Sequence, residues 1–240
     1  MTKHKKYELK NLFDKYFSLG GEIVPIGNSR EELIKIKDCI TKGECKRDCP
    51  DGYYKISDDE ILIMEHFCFD STTIKKGSES LAELARIQRE YNKHDVIRCT
   101  ISMKNYWDNL KENFTKHCSK VENYKMNLIK EGIALENTLF KIAFFIEDVT
   151  PLGNINIKTG KRIYSIFCDK FIDLFEKCLN VDYLFDFSEV GSKKRVLFVS
   201  KNNIETLRSN EIKIDENELI DWKPQVSSFI ITTSQNTAKN

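Results

Sequence analysis

The sequence predicts an α/β fold in which helices flank a mixed central sheet. Along the chain, segments with apolar residues at helical spacing alternate with short apolar runs of strand length. The 240 residues are 40% hydrophobic, which is enough for a sizeable core. Because neither an internal repeat nor a low-complexity linker interrupts the pattern, we expect a single domain over residues 1–240.

The first half of the chain alternates helices with short strands. A glycine pair follows the first helical pattern and predicts its end. Ser29 and Glu32 have the spacing of a capping box, which predicts the start of the second helix. The predicted elements are a helix over 7–19, a strand over 23–26, a helix that ends near Gly43, and two strands within 48–70.

The second half contains the longest predicted element, an amphipathic helix over residues 104–131 that Gly132 ends. We expect this helix to be an insertion into the α/β domain. An apolar strand over 139–149 follows, and it ends in Glu147 and Asp148. The remaining predictions are a helix over 79–92, a strand over 96–103, a helix over 166–179, strands over 181–187 and 195–200, and a disordered tail over 234–240.

Composition narrows the possible environments and partners. The net charge of +1 gives no global bias towards nucleic acid or membrane, although it leaves room for a local basic patch. No apolar run approaches the length of a membrane span, so we expect no membrane association. Several of the eight cysteines lie in apolar periodic runs, which predicts reduced, buried thiols in a cytoplasmic protein. These are Cys68, Cys99, Cys168 and Cys178.

Two carboxylates in the predicted hairpin are the main functional signal. Asp51 begins the first strand, and Glu65 lies inside the second among apolar residues, where an unpaired charge is costly to bury. If residues 57–59 form a three-residue turn, Asp51 lies opposite Glu65, and a cation between them would relieve their repulsion. A turn of two or four residues places Asp51 opposite His66 instead.

The order of these residues resembles the PD-(D/E)xK nuclease superfamily, which has the restriction-endonuclease-like fold. The pattern is an acidic residue on a helix, here Glu31 or Glu32, then Pro50-Asp51 at a strand start, then Glu65 inside the next strand. The resemblance covers roughly residues 28–103. It implies a restriction-endonuclease-like core for this part of the chain.

The resemblance also implies a chemistry. Asp51 and Glu65 would bind Mg²⁺ or Mn²⁺, with Glu31, Glu32 and His66 as auxiliary residues. The protein would then hydrolyse phosphodiester bonds of nucleic acid, with the metal stabilising charge that develops on the phosphate oxygens.

The lysine of the family pattern lies two residues after the carboxylate, and here that position is Phe67. Phenylalanine cannot donate a hydrogen bond to water or phosphate. Some members of the superfamily recruit the lysine from elsewhere, and Lys55 shares a face with Asp51, so Lys55 is the expected catalytic lysine. The alternatives are Lys75 and Lys76. Downstream, Gln88 begins a Gln-Arg-Glu-Tyr sequence that resembles a motif of the exonuclease branch, with spacing one residue short, and is a further auxiliary residue.

Other interpretations of these residues remain open. Pro50-Asp51-Gly52 is also an ordinary turn, and Glu65 could pair with an arginine or face water on an edge strand. The competing functional class is a non-enzymatic module on the same fold that binds nucleic acid or a protein partner after losing its chemistry with the lysine.

Two further patterns favour structural interpretations. Cys45 and Cys49 have the spacing of zinc ligands, but no second pair follows at zinc-finger spacing, so we interpret them as loop thiols. Lysines along the long helix could line a nucleic-acid groove, but interleaved acidic residues favour a solvated face. These lysines are Lys104, Lys111, Lys116, Lys120, Lys125 and Lys130.

Overall fold

The computed structural model has an α/β fold in three layers, with helices on both faces of a six-stranded mixed sheet. This confirms the predicted fold class. The structure describes residues 8–17, 22–42, 44, 50–69, 96–99, 103–148, 165–190, 193–211 and 229–232.

The described strands form two sheets. They are β1 (Glu22–Pro25), β2 (Gly52–Lys55), β3 (Glu60–Phe69), β4 (Val96–Cys99), β5 (Leu139–Asp148), β6 (Tyr183–Val190), β7 (Lys193–Ser200) and β8 (Phe229–Thr232). The larger sheet has the strand order β1-β7-β6-β5-β3-β2, and β4 pairs with β8 in a separate two-stranded sheet.

Three parallel strands, β3, β5 and β6, form the centre of the larger sheet. Because helices cover both faces of these strands, the strands read as nearly continuous apolar runs, such as Ile142 to Ile146 in β5. On either side, β2 and β7 pair antiparallel with this trio, and β1 pairs parallel with β7.

The helices divide between the two faces of the sheet. They are α1 (Glu8–Phe17), α2 (Arg30–Lys42), α3 (Met103–Lys130), α4 (Asp169–Lys177) and α5 (Ile204–Ser209), with short 3-10 turns at Ser165–Phe167 and Lys201–Asn203. Apolar residues of α3, α4 and α5 pack on the sheet face that carries Ile61 and Ile63 of β3 and Phe144 of β5. The opposite face, with Leu62 and Phe145, packs against α1 and α2.

The helix expected as an insertion is α3, which runs from Met103 to Lys130 and packs on β3. Its apolar stripe includes Leu110, Phe114 and Val121, all buried in the core. Gly132 ends it with a φ of 68°, a left-handed conformation that favours glycine. This helix therefore supplies one wall of the core against which β3 is positioned.

The β2–β3 hairpin has the register predicted from a three-residue turn. Lys55 pairs with Ile61, and the Ile56 N–H donates to the Glu60 carbonyl over 2.9 Å, so residues 57–59 form the turn. Continued by one residue beyond the Gly52–Met64 pair, this register sets Asp51 opposite Glu65. The alternative pairing of Asp51 with His66 is thereby excluded.

The prediction of a reduced thiol is wrong for Cys178, which forms a disulfide with Cys118. The two residues face each other where the end of α4 packs on α3, and their Cα atoms are 6.6 Å apart. Cys168 is a reduced, buried thiol, as expected, and Cys68 is a reduced, half-buried one.

Several predictions fall outside the described residues. They are the helix over 79–92 with Gln88, the lysines Lys75 and Lys76, the loop thiols Cys45 and Cys49, and the tail over 234–240. Within the described ranges, no helix is both long enough and apolar enough to span a membrane.

Candidate active site

Glu65 lies in β3 beneath the middle of α3, and only 3% of the residue is exposed. Its Oε1 atom accepts a hydrogen bond from Nδ1 of His117 over 2.6 Å and another from the Tyr124 hydroxyl over 2.7 Å. The ammonium nitrogen of Lys120 lies 3.8 Å from the same oxygen. The buried carboxylate is therefore held by three side chains of one helix.

Helical periodicity explains why these three side chains converge. His117, Lys120 and Tyr124 follow i, i+3, i+7 spacing, which places them on one face of α3. The imidazole of His117 stacks on the ring of Phe67, with centroids 4.8 Å apart and planes inclined by 19°. Phe67, at the position where the nuclease pattern has lysine, thus packs against the histidine that binds Glu65.

Asp51 directly precedes β2 and makes two hydrogen bonds with β3, each between a carboxylate and a backbone N–H. Its backbone N–H lies 3.3 Å from Oε2 of Glu65, and its own Oδ2 accepts the backbone N–H of His66 over 2.8 Å. Where regular strand pairing stops, each carboxylate accepts a backbone N–H from the opposite segment of the hairpin. Asp51 is half-buried, so this end of the site is closer to solvent than Glu65.

The surroundings of Glu65 favour its ionised form. Burial raises the pKa of Glu65, but hydrogen bonds from His117 and Tyr124 and the charges of His117 and Lys120 outweigh it, so the pKa lies below its ordinary value. Burial, together with the charges of Glu65 and Asp51 and the hydrogen bond to Glu65, raises the pKa of Tyr124 above its ordinary value. Tyr124 therefore remains a hydrogen-bond donor at neutral pH.

The carboxylate oxygens of Asp51 and Glu65 are ligands of the kind that a hard divalent cation such as Mg²⁺ prefers. Glu65 Oε1 is occupied by donors, whereas the hydrogen bond to Oε2 is long, so Oε2 keeps acceptor capacity. Mg²⁺ commonly binds proteins through one or two carboxylates and completes its shell with water and substrate phosphate. Asp51 and Glu65 are the two carboxylates here that could hold such an ion, and among the described residues no cluster of three or more His, Cys, Asp and Glu side chains has a metal-binding arrangement.

Among the described residues, a lysine of α3 lies beside Glu65. Lys120 has a side chain that is 37% exposed, so its ammonium group is accessible to a ligand at the edge of the site. Lys55 is exposed at the far end of β2, four residues from Asp51, or roughly 13 Å along an extended strand.

The described auxiliary residues predicted from the sequence lie on the opposite face of β3 or on α2. The imidazole Nε2 of His66 lies 3.5 Å from Glu147 on the opposite face from Glu65, and the backbone N–H of His66 donates to Asp51. Glu31 is exposed at the start of α2. Glu32 accepts a hydrogen bond from Asn202, beside the end of β7.

A second pair of buried carboxylates ends β5. Glu147 binds the ammonium group of Lys15 from α1 and lies near His66. Burial raises the pKa of Glu147, but the hydrogen bonds and charges of His66 and Lys15 lower it to about 2. On the other face of the strand, Asp148 accepts a hydrogen bond from the Tyr106 hydroxyl over 3.0 Å. These carboxylates join α1 and α3 to the sheet.

Sequence reasoning missed the three residues of α3 that surround Glu65. Interleaved acidic residues favour a solvated face for Lys120, and neither His117 nor Tyr124 is among the site residues predicted from the sequence. The available signal was that His117 and Tyr124, seven residues apart, bring polar groups to the buried edge of the stripe. A buried carboxylate on a neighbouring strand needs such donors.

Comparison of the chain with protein-family models, with curated proteins and with solved structures finds no match in any of the three.

Proposed function

We propose that this protein is a divergent Mg²⁺- or Mn²⁺-dependent nuclease with a restriction-endonuclease-like core. One observation carries the proposal: Asp51 lies opposite Glu65 in the hairpin, and Lys120 lies 3.8 Å from Glu65. The two carboxylates and one lysine that the family chemistry requires are thus close together. In this proposal Lys120, from α3, replaces the lysine missing at position 67.

Each residue has a role in hydrolysis of a phosphodiester. Asp51 and Glu65 hold the metal, which when bound lowers the pKa of water and neutralises charge on the phosphate. Lys120 donates a hydrogen bond to a phosphate oxygen or to the attacking water and stabilises negative charge there. His117 and Tyr124 hold the Glu65 carboxylate in one orientation and keep it ionised.

A cleavage assay with Mg²⁺ or Mn²⁺ on single- and double-stranded DNA and RNA tests this function. We expect metal-dependent cleavage that is lost in Glu65→Ala and in Lys120→Met and retained in Lys55→Met, the matched lysine control. Cleavage that Glu65→Ala leaves unchanged would show that a different site, or a contaminant, is responsible.

A second candidate is a non-enzymatic module on the same fold that binds nucleic acid. Two observations favour it: Phe67 stacks on His117, and two hydrogen bonds occupy Oε1 of Glu65. Both are consistent with side chains that stabilise the fold and carry out no catalysis. Retardation of DNA or RNA in a gel, without cleavage at any metal concentration, would select this candidate.

A further inference from the structure

A groove runs between α3 and α4, on the side of α3 away from Glu65. We call it the α3–α4 groove and define it by Lys111, Thr115 and Ser119 of α3 with Leu174, Lys177 and Leu179. Three adjacent cavities of about 470, 310 and 620 Å³ follow it, and Lys111 lines all of them. Successive residues of an α-helix are rotated by about 100° around its axis. Lys111, Thr115 and Ser119 therefore lie on the side of α3 roughly opposite the face that contacts Glu65.

The floor of the groove is apolar. Leu174 is half-buried, and Phe114 and the Cys118–Cys178 disulfide lie beneath it. At one end Leu179 is 86% exposed, an unusual state for a leucine beside a cavity.

Among the described residues, four lysines and three carboxylates line the rim of the groove. Lys111, Lys116, Lys170 and Lys177 line the cavities, and within the described residues none of the four forms an ion pair. Of the carboxylates on the rim, Asp173 is already bound to Arg208 over 2.6 Å. The largest cavity is lined by Lys111 and Lys177 and, among described residues, by no carboxylate.

We infer that the α3–α4 groove is a docking site for an acidic, amphipathic helix of a partner protein. Apolar side chains of that helix would cover Leu174 and Leu179, and its glutamates or aspartates would pair with Lys111, Lys170 and Lys177. The lining residues of α3 from Asp108 to Ser119 extend ~17 Å along the helix axis, which corresponds to three turns of a docked helix.

The lining favours a peptide over a nucleic acid. Single strands bind through exposed aromatic rings on which bases stack, but the aromatic residues of the groove, Trp107 and Phe114, are only 7% and 1% exposed. Asp108 and Glu112 also lie on the rim and would repel a uniformly charged phosphate backbone. A peptide can place a neutral or basic residue opposite them.

Fluorescence anisotropy with a labelled 14-residue peptide tests the inference. The peptide has leucines at i, i+3, i+4 and i+7 spacing and glutamates elsewhere. We expect saturable binding that weakens at least tenfold in Lys111→Glu/Lys177→Glu, in Leu179→Ser, and when serines replace the peptide's leucines. The matched control, Lys37→Glu/Lys42→Glu on α2, should bind like the wild type. Since all the substituted side chains are exposed, circular dichroism should show each variant folded.

A charge swap sharpens the test. A peptide with lysines in place of its glutamates should bind Lys111→Glu/Lys177→Glu better than it binds the wild type. The inference is overturned if the wild type does not bind the acidic peptide saturably, or if the α2 control loses binding equally. Tighter, groove-dependent binding of a 14-nucleotide oligothymidylate would assign the groove to nucleic acid. A wild-type dimer that Leu179→Ser dissociates in sedimentation velocity would assign it to a second copy of this chain.

Discussion

His117 donates from Nδ1 to Oε1 of Glu65 over 2.6 Å, across 52 positions of sequence, and so joins the middle of α3 to the central strand β3. The Tyr124 hydroxyl binds the same oxygen. A carboxylate held in this way can serve both the stability of the fold and the chemistry of a site, and the two roles have separate tests.

Removal of the Glu65 carboxylate should destabilise the protein. Glu65→Ala leaves the buried donors of His117 and Tyr124 without their acceptor, which typically costs about 1–3 kcal/mol. Urea unfolding at pH 7 measures the change. The matched control is Glu122→Ala on the exposed side of α3, which removes a surface pair with Lys125 and should cost less than ~1 kcal/mol. Equal effects of the two substitutions would argue against a structural role for the Glu65 contacts.

Tyr124 should resist ionisation in alkaline solution. Because burial and the negative charges of Glu65 and Asp51 raise its pKa, Tyr124 should not contribute to the tyrosinate absorbance that develops up to pH ~11. Tyr124→Phe should therefore leave the absorbance change at 295 nm unaltered, although the chain has nine tyrosines. A loss of amplitude equal to one tyrosinate would contradict the hydrogen bond from Tyr124 to Glu65.

Glu147 should make stability depend on pH in acid. Its pKa falls from 4.5 to about 2 in the folded state, so the unfolded chain takes up the proton first as pH decreases. The stabilisation is thus complete above pH 4.5 and is lost as pH falls towards 2. Glu147→Gln should cost roughly 3 kcal/mol at pH 7, with the difference from wild type shrinking below pH 4.5. Urea unfolding at pH 7, 4 and 3 measures the free energies of unfolding of the wild type and the variant. A difference between them that does not change with pH would refute the lowered pKa of Glu147.

The Cys118–Cys178 disulfide should stabilise the packing of α4 on α3. It closes a loop with a sequence separation of 60, for which the chain-entropy account gives a stabilisation of about 4 kcal/mol. Cys118→Ser/Cys178→Ser should lower the melting temperature, and a reductant should lower that of the wild type but not that of the variant. A wild type unaffected by reductant, with two more titratable thiols than the variant when both are unreduced and unfolded, would show that the bond is not formed.

Local sequence narrows the parts of the site that depend on neighbouring residues. The turn over residues 57–59 determines the hairpin register, and of the two registers that the sequence leaves open, the structure has the one that sets Asp51 opposite Glu65. The partners of Glu65 on α3 could not be derived in this way. The angle at which α3 meets the sheet depends on how Leu110, Phe114 and Val121 pack in the core, and sequence spacing does not encode it.

The limit of local sequence also explains why the predictions for Cys178 and Lys55 differ from the structure. Periodicity predicts that Cys178 faces the core. It does not indicate that Cys118, from another helix, lies beside Cys178. Strand alternation predicts Lys55 as the catalytic lysine because Lys55 shares a strand face with Asp51. The same alternation carries no information about an ammonium group supplied by a helix elsewhere in the chain. Contacts between elements distant in sequence are therefore what the structure adds to the site.

The central claim is that Asp51 and Glu65 together hold a divalent cation, and Mn²⁺ binding tests it without knowledge of the substrate. Electron paramagnetic resonance of free Mn²⁺ during titration with protein gives the number of ions bound per chain. We expect one ion per chain in the wild type and in Lys120→Met, and a loss of binding in the nearly isosteric Asp51→Asn, which keeps the side-chain oxygen that accepts the His66 N–H. A wild type that binds no Mn²⁺, or an Asp51→Asn variant that binds it as well as the wild type, would contradict the claim.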